Sequence, residues 1–110
     1  DETTDLAVLS GAASFRMPYA MSVTELRASV NTAPTGAKIK VDINEGGTSI
    51  MTTTKLSIDA TEKTSTTAAA AAVITDSTLA DDAEITIDID QVGSSVKGKG
   101  LKVWIIGTPI

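Results

Sequence analysis

Cysteine and histidine are both absent from this 110-residue chain. Without cysteine there are no disulfides and no thiolate metal sites, and the redox compartment stays open. Without histidine the commonest zinc ligand, the usual general base near neutral pH and every Ser-His or Cys-His nucleophile pair are gone. The sequence therefore predicts a protein that is not an enzyme and carries no cofactor. Aromatic residues are nearly absent too: Phe15, Tyr19 and Trp104 are all there are, a thin supply of rings for sugar stacking. No apolar run approaches the roughly 20 residues of a membrane-spanning helix; the longest run of small residues is Ala68 to Ile74. Nine basic against 14 acidic residues leave a net charge of −5, which argues against a phosphate-binding surface. Neither nucleic acid nor membrane is expected as a partner. The acidic start, Asp1-Glu2-Thr3-Thr4-Asp5, is unlike a signal peptide and lacks an initiator Met. The numbering is expected to begin either at a processing site or at an artificial boundary, within a longer natural chain.

What is present is strand pattern. Glu84-Ile85-Thr86-Ile87-Asp88-Ile89-Asp90 alternates apolar and polar without error, which predicts a strand with one buried and one wet face. The glycine-rich turn region Gln91 to Gly100 then joins it to the β-rich run Leu101 to Ile106, and two strands joined by a loop predict an antiparallel pair. Upstream, Leu6 to Leu9 and Ala12 to Arg16 predict an edge strand bent at Gly11, and Pro18 breaks the ladder because it has no amide hydrogen. Ala20 to Asn31 predicts a long strand whose apolar phase shifts by one, so a bulge is expected near Thr24-Glu25. Ala37 to Asn44 places Ile39, Val41 and Ile43 inward and Lys38, Lys40 and Asp42 in water. Glu45-Gly46-Gly47-Thr48 predicts a hairpin returning through Thr48 to Thr53. Leu56 and Ile58 alternate again, and Lys63 to Thr67 predicts a solvent-facing strand. Five alanines, Ala68 to Ala72, are too few to nucleate a helix and are read as packing or loop; Asp76 to Asp82 predicts one helical turn. The sum is an all-β, two-sheet antiparallel β-sandwich of jelly-roll kind with seven to nine strands. Residues 1–11 form an N-terminal arm or edge strand and residues 12–110 the sandwich.

Candidate sites are few. Asp81, Asp82, Glu84, Asp88 and Asp90, joined by Asp42, Asn44 and Glu45, offer calcium-type oxygen ligands, but no EF-hand spacing exists and outward acids ordinarily keep a sheet soluble. Nothing fixes two of them at a glycosidase separation. Gly93, Gly98 and Gly100 lack Walker spacing and are turn glycines. Arg16 and Arg27, the only arginines, are candidates for an ion pair or an acidic ligand. In the last strand Trp104 has the parity of Lys102 and Ile106, opposite to Leu101, Val103 and Ile105. A strand apolar on both faces needs a second cover, so Trp104, Ile106 and Lys102 are the candidate oligomer interface. The loops holding Glu45, Gly46, Gly47 and Thr48, and Ser94, Ser95 and Lys97, are the candidate ligand loops.

Several segments, taken together, resemble a domain of structural proteins of tailed bacteriophages. They are Phe15-Arg16-Met17-Pro18-Tyr19, Arg27 to Gly36, Val41 to Thr48, Lys55 to Asp59, Glu62 to Ser65, Leu79 to Glu84 and Ile85 to Gly107. The resemblance covers Ala12 to Gly107. It implies a β-sandwich on the virion exterior, commonly a homotrimer, serving as head decoration, head fibre or tail-fibre domain, with the major capsid protein or a fibre shaft as partner. It brings no catalytic motif. The alternative is a receptor-binding module at a fibre tip whose loops hold a host glycan.

Overall fold

A computed structural model describes residues 2–110; of the predicted arm, Asp1 lies outside the described residues. Eight strands form two antiparallel sheets: β1 (Leu9–Arg16), β2 (Met21–Ser29), β3 (Ile39–Glu45), β4 (Thr48–Ser49), β5 (Leu56–Ile58), β6 (Thr78–Leu79), β7 (Glu84–Gln91) and β8 (Lys102–Pro109). The larger sheet runs β1-β7-β3-β4, with β5 also on β3; the smaller runs β6-β2-β8. The fold is the two-sheet β-sandwich that the alternation predicts.

Its core is aliphatic. Ile39, Val41 and Ile43 of β3 are completely buried, together with Ile50, Met51, Ile58, Leu79 and Ile85. Parity works as read from the sequence: Val23, Leu26 and Ala28 of β2 face the same core. The phase shift between them is absorbed where the β2/β8 register slips between Val23 and Glu25, so the predicted bulge is real. Gly46 and Gly47 both take positive φ, 57° and 86°, the two-residue hairpin turn that joins β3 to β4 with the right twist.

Five expectations are corrected. The strands at residues 84–90 and 101–106 do not pair with each other: β7 lies between β1 and β3 in the larger sheet and β8 beside β2 in the smaller, because the glycine-rich connection crosses between the sheets, bridging to Thr35 and Thr32 on the way. The return strand from this hairpin ends at Ser49 rather than Thr53, because Ile50 and Met51 are consecutive and both fully buried, which a regular pleat cannot accommodate. Lys63 to Thr67 is not a strand: Ser65–Thr67 is a 3₁₀ turn capped by the Thr64 side chain, which accepts from the Thr66 amide. The helical turn over Asp76 to Asp82 is absent; Thr78–Leu79 instead pairs with Met21 and Ser22 of β2. Burying Leu79 outweighs the weak helix signal, and Asp76 accepts from the Thr78 amide in a turn rather than as a helix cap. Asp42, expected in water, is 7% exposed. The chain following the hairpin folds over the outer face of β3, where Lys55 Nζ lies 2.8 Å from Asp42 Oδ2 and the Ser49 hydroxyl donates to its other oxygen. The last strand also runs beyond Ile106, to Pro109.

Candidate interaction surface

The two sheets do not close against each other on every side. β1 stands at one end of the larger sheet and β8 at one end of the smaller. Between them runs an apolar cleft lined by Phe15, Met17, Met21, Ile87, Val103 and Ile105. It continues past Ile89 and Leu101 to Leu6, which lines its far end. All eight residues of β1 are exposed, and Phe15 retains 42% of its surface. Among the described residues, β1 thus extends the larger sheet without a strand of the smaller sheet above it.

Hydrogen bonds at the strand ends reveal which backbone groups face the open side. The Ile110 amide donates to Ala20 carbonyl at 3.0 Å, and Thr24 Oγ1 donates to Ile106 carbonyl at 3.2 Å. Even-numbered residues of β8 therefore direct their backbone groups at β2, and Val103, Ile105 and Gly107 direct theirs outward from the sheet edge. Pro109, lacking an N–H, has this outward parity, the position an edge strand tolerates. In β1 the Met17 amide donates to Ala83 carbonyl at 3.0 Å. Ser14 and Arg16 consequently present their backbone groups along the other open edge, on the regular side of the register shift between Leu9 and Ala13.

Trp104 lies on the outward face of β8, as its parity predicts, with 47% of its surface exposed. Ile106 and Lys102 share that face; Lys102 Nζ lies 3.3 Å from Glu2 Oε1 and donates to Asn31 Oδ1 at 3.1 Å. Across the ladder Trp104 is opposite Arg27, and Ile106 is opposite Glu25. Arg27 settles the sequence's open choice in favour of an ion pair: its Nε donates to Glu25 Oε2 at 2.6 Å and its Nη2 to Oε1 at 3.1 Å. The bidentate contact holds the Glu25 carboxyl below its usual range. Arg16 caps the loop after β6, its Nη1 donating to Asp82 carbonyl at 3.0 Å.

The two predicted ligand loops are separated. Glu45, Gly46, Gly47 and Thr48 sit at one end of β3, while Ser94, Ser95 and Lys97 lie near Thr35 and Gly36 beyond the other, where the Ser95 amide donates to Thr35 carbonyl at 3.1 Å. Seven residues of strand, about 20 Å, lie between, so one small ligand cannot bridge them. Glu45 also helps to hold the fold, accepting from the Ala80 amide at 2.8 Å. That bond pulls its pKa down, but burial and the neighbouring Asp76 carboxyl outweigh it, and the net direction is upward.

Of the acidic set, the fold brings Asp42, Asn44, Asp88 and Asp90 to the outer face of β3 and β7. Asp42 and Asp88 are directly opposite, and Asn44 Nδ2 donates to Asp88 Oδ2 at 2.9 Å. Asp88 also accepts from the Gly11 amide at 2.7 Å. With Lys55 on Asp42, these are satisfied structural contacts, and no cluster of three potential metal ligands occurs among the described residues. Asp90 shares a cavity of about 490 Å³ with Lys38, Lys40, Lys55 and Gln91. Burial, then the Asp42 charge, pushes its pKa up. A carboxyl whose folded pKa is raised binds its proton more tightly in the native state, so stability falls as pH rises through that window. Asp90→Asn should accordingly raise the melting temperature slightly at pH 7 and leave it unchanged at about pH 3, below the ordinary aspartate value. Thermal melts at the two pH values check this.

The sequence contains the signal for Trp104, in its parity, but not for the open cleft. Which strands end a sheet is a property of topology, invisible to local alternation. No family model matches the chain, no curated protein matches its sequence, and no solved structure matches its fold.

Proposed function

We propose that this chain is a non-enzymatic structural module that works by joining copies of itself and neighbouring proteins on a particle surface. By the sequence resemblance, that surface is the exterior of a bacteriophage virion, where the chain serves as capsid decoration or part of a head or tail fibre, in three copies. The observation that carries the self-association is the open side of the sandwich. A strand at the end of a sheet with both faces in water gains little from its own burial, and an unpaired sheet edge is a template for another chain. Here two such edges flank one apolar cleft. Arg16, Lys102 and Pro109 sit at the ends of the two edge strands, where charge and a missing donor discourage pairing; the intervening stretch of β8, Val103 to Gly107, carries none of these. Receptor recognition through the two ligand loops has less support, because they lie at opposite ends of β3.

The test is the mass of the chain in solution by light scattering across a range of concentrations. The expected result is a mass near three times the 11.3 kDa of one chain, falling to one chain in Phe15→Glu, whose charge enters the cleft, with circular dichroism unchanged. Trp104→Ala, on the opposite face of β8, should leave the assembly intact. If Trp104→Ala dissociates it and Phe15→Glu does not, the interface is the outward face that the sequence parity suggests. A monomer at every concentration would sink self-association by the free chain.

A further inference from the structure

The outward face of the smaller sheet has a chemistry different from the cleft. Trp104 is the only tryptophan in the chain, and it lies half exposed on the surface of β8 rather than in the core. Beside it is a hollow of about 350 Å³ lined by Arg27, Ser29, Thr64, Thr66, Trp104 and Ile106. The floor is strand; the far wall is the segment carrying the 3₁₀ turn, pinned because the Ser65 hydroxyl accepts from the Ala28 amide at 2.9 Å and the Val30 amide donates to Lys63 carbonyl at 2.9 Å. The site is thus built on two adjacent strands and a fixed turn, not on a free loop.

The polar equipment is specific in kind. A guanidinium has five N–H donors in one plane, and Glu25 takes two of them in Arg27. The pair is held planar and electrically neutral, with guanidinium donors left over and carboxylate lone pairs left over. The Thr64 and Thr66 hydroxyls share a hydrogen bond of 3.1 Å and Thr64 also accepts from the Thr66 amide, which leaves Thr66 with capacity for one more partner, and Ser29 adds a third hydroxyl. An anionic ligand would find the Arg27 charge already matched, and a protein partner would find a narrow apolar centre of one indole and one isoleucine, where protein interfaces use a broader core. A molecule with one C–H face and a rim of hydroxyls matches the set: the face lies on the indole, and vicinal hydroxyls exchange paired hydrogen bonds with guanidinium and carboxylate.

We propose that the outward face of β2 and β8 is a carbohydrate-binding site, in which Trp104 stacks on a neutral pyranose ring and the Arg27–Glu25 pair, with Thr66, takes its hydroxyls. This site is distinct from the cleft and does not require self-association. It also lies apart from the loops in which sequence reading places a ligand, because the sequence shows Trp104 and Arg27 as 77 positions apart and only the β2/β8 register makes them neighbours.

Trp104 is its own reporter. The 110-residue chain is titrated with glucose, galactose, N-acetylglucosamine and β-1,4-linked hexaoses of glucose and N-acetylglucosamine while tryptophan emission is followed. The expected result is a saturable blue shift with at least one of them, at half-saturation of about 1 mM or below. Arg27→Ala and Thr66→Val should each weaken it, the first by about tenfold, with the melting temperature and the mass in solution unchanged. Three results would overturn the proposal: no saturable change with any of these sugars at tens of millimolar, a change that Arg27→Ala leaves untouched, or an emission shift that follows protein concentration alone, which would mean that a second copy covers Trp104.

Discussion

Ile43→Ala is expected to lower the free energy of unfolding by about 3 kcal/mol, within the range for truncating a buried isoleucine. Ile43 is completely buried, lies opposite Ile87 in the ladder, and belongs to the central strand of the larger sheet, with β7 on one side and β4 and β5 on the other. Truncation there leaves a void that strands hydrogen-bonded on both sides cannot close. A domain of this size has a total stability of roughly 5–15 kcal/mol, and the chain has no disulfide with which to make up a loss. With a urea slope of about 1.5 kcal/mol/M, the midpoint should fall by about 2 M. The control is Val8→Ala, an exposed position in the arm, which should shift stability by less than about 0.5 kcal/mol. Equal midpoints for Ile43→Ala and the parent chain would mean that β3 does not hold the core together.

That ranking is legible in the sequence. Ile39, Val41 and Ile43 alternate with polar residues, and the Gly46-Gly47 turn closes the strand, so position, parity and turn all agree. The same reasoning locates the Thr24-Glu25 bulge from nothing more than a change of apolar phase between Val23 and Leu26. It fails where the deciding contact is distant in sequence. Asp42 reads as wet by parity, and nothing local announces that Lys55 and Ser49 will cover it. Thr78-Leu79 reads as part of a helical turn because Asp76 is an acceptable N-cap, whereas its structure is decided by pairing with the edge of β2 and by space for Leu79 in the core. The candidate surfaces divide in the same way. The outward parity of Trp104 is local and legible; its pairing with Arg27, and the open cleft between β1 and β8, depend on strand order and are not.

Gly107 is the residue whose importance the sequence conceals most, since the β-rich run read there stops at Ile106. It lies within β8, opposite Val23 and beside the β2 bulge. A Cβ built there would stand 2.2 Å from the Ser22 carbonyl oxygen and 3.0 Å from Val23 Cα, both backbone atoms of the adjacent strand. No rotamer change relieves such a contact; β2 and β8 must move apart. Gly107→Ala is therefore expected to cost about 3 kcal/mol, at the upper end for an overpacked site, although it adds a single methyl group. Gly46→Ala provides the contrast. The φ of Gly46 is positive, but among the described residues no atom beyond Gly46 and its two chain neighbours lies within 4 Å of the added Cβ, so the cost should be only the left-handed backbone strain of about 1 kcal/mol. Hydrogen exchange separates the two mechanisms. Gly107→Ala should release the Ile110 amide from Ala20 and deprotect the C-terminal half of β8 before the rest of the sandwich, loosening the strand that supplies both the cleft and the Trp104 face. Gly46→Ala should leave that half protected. If Gly107→Ala unfolds at the parent midpoint with β8 protection intact, the close approach of the two strands is not what requires glycine here.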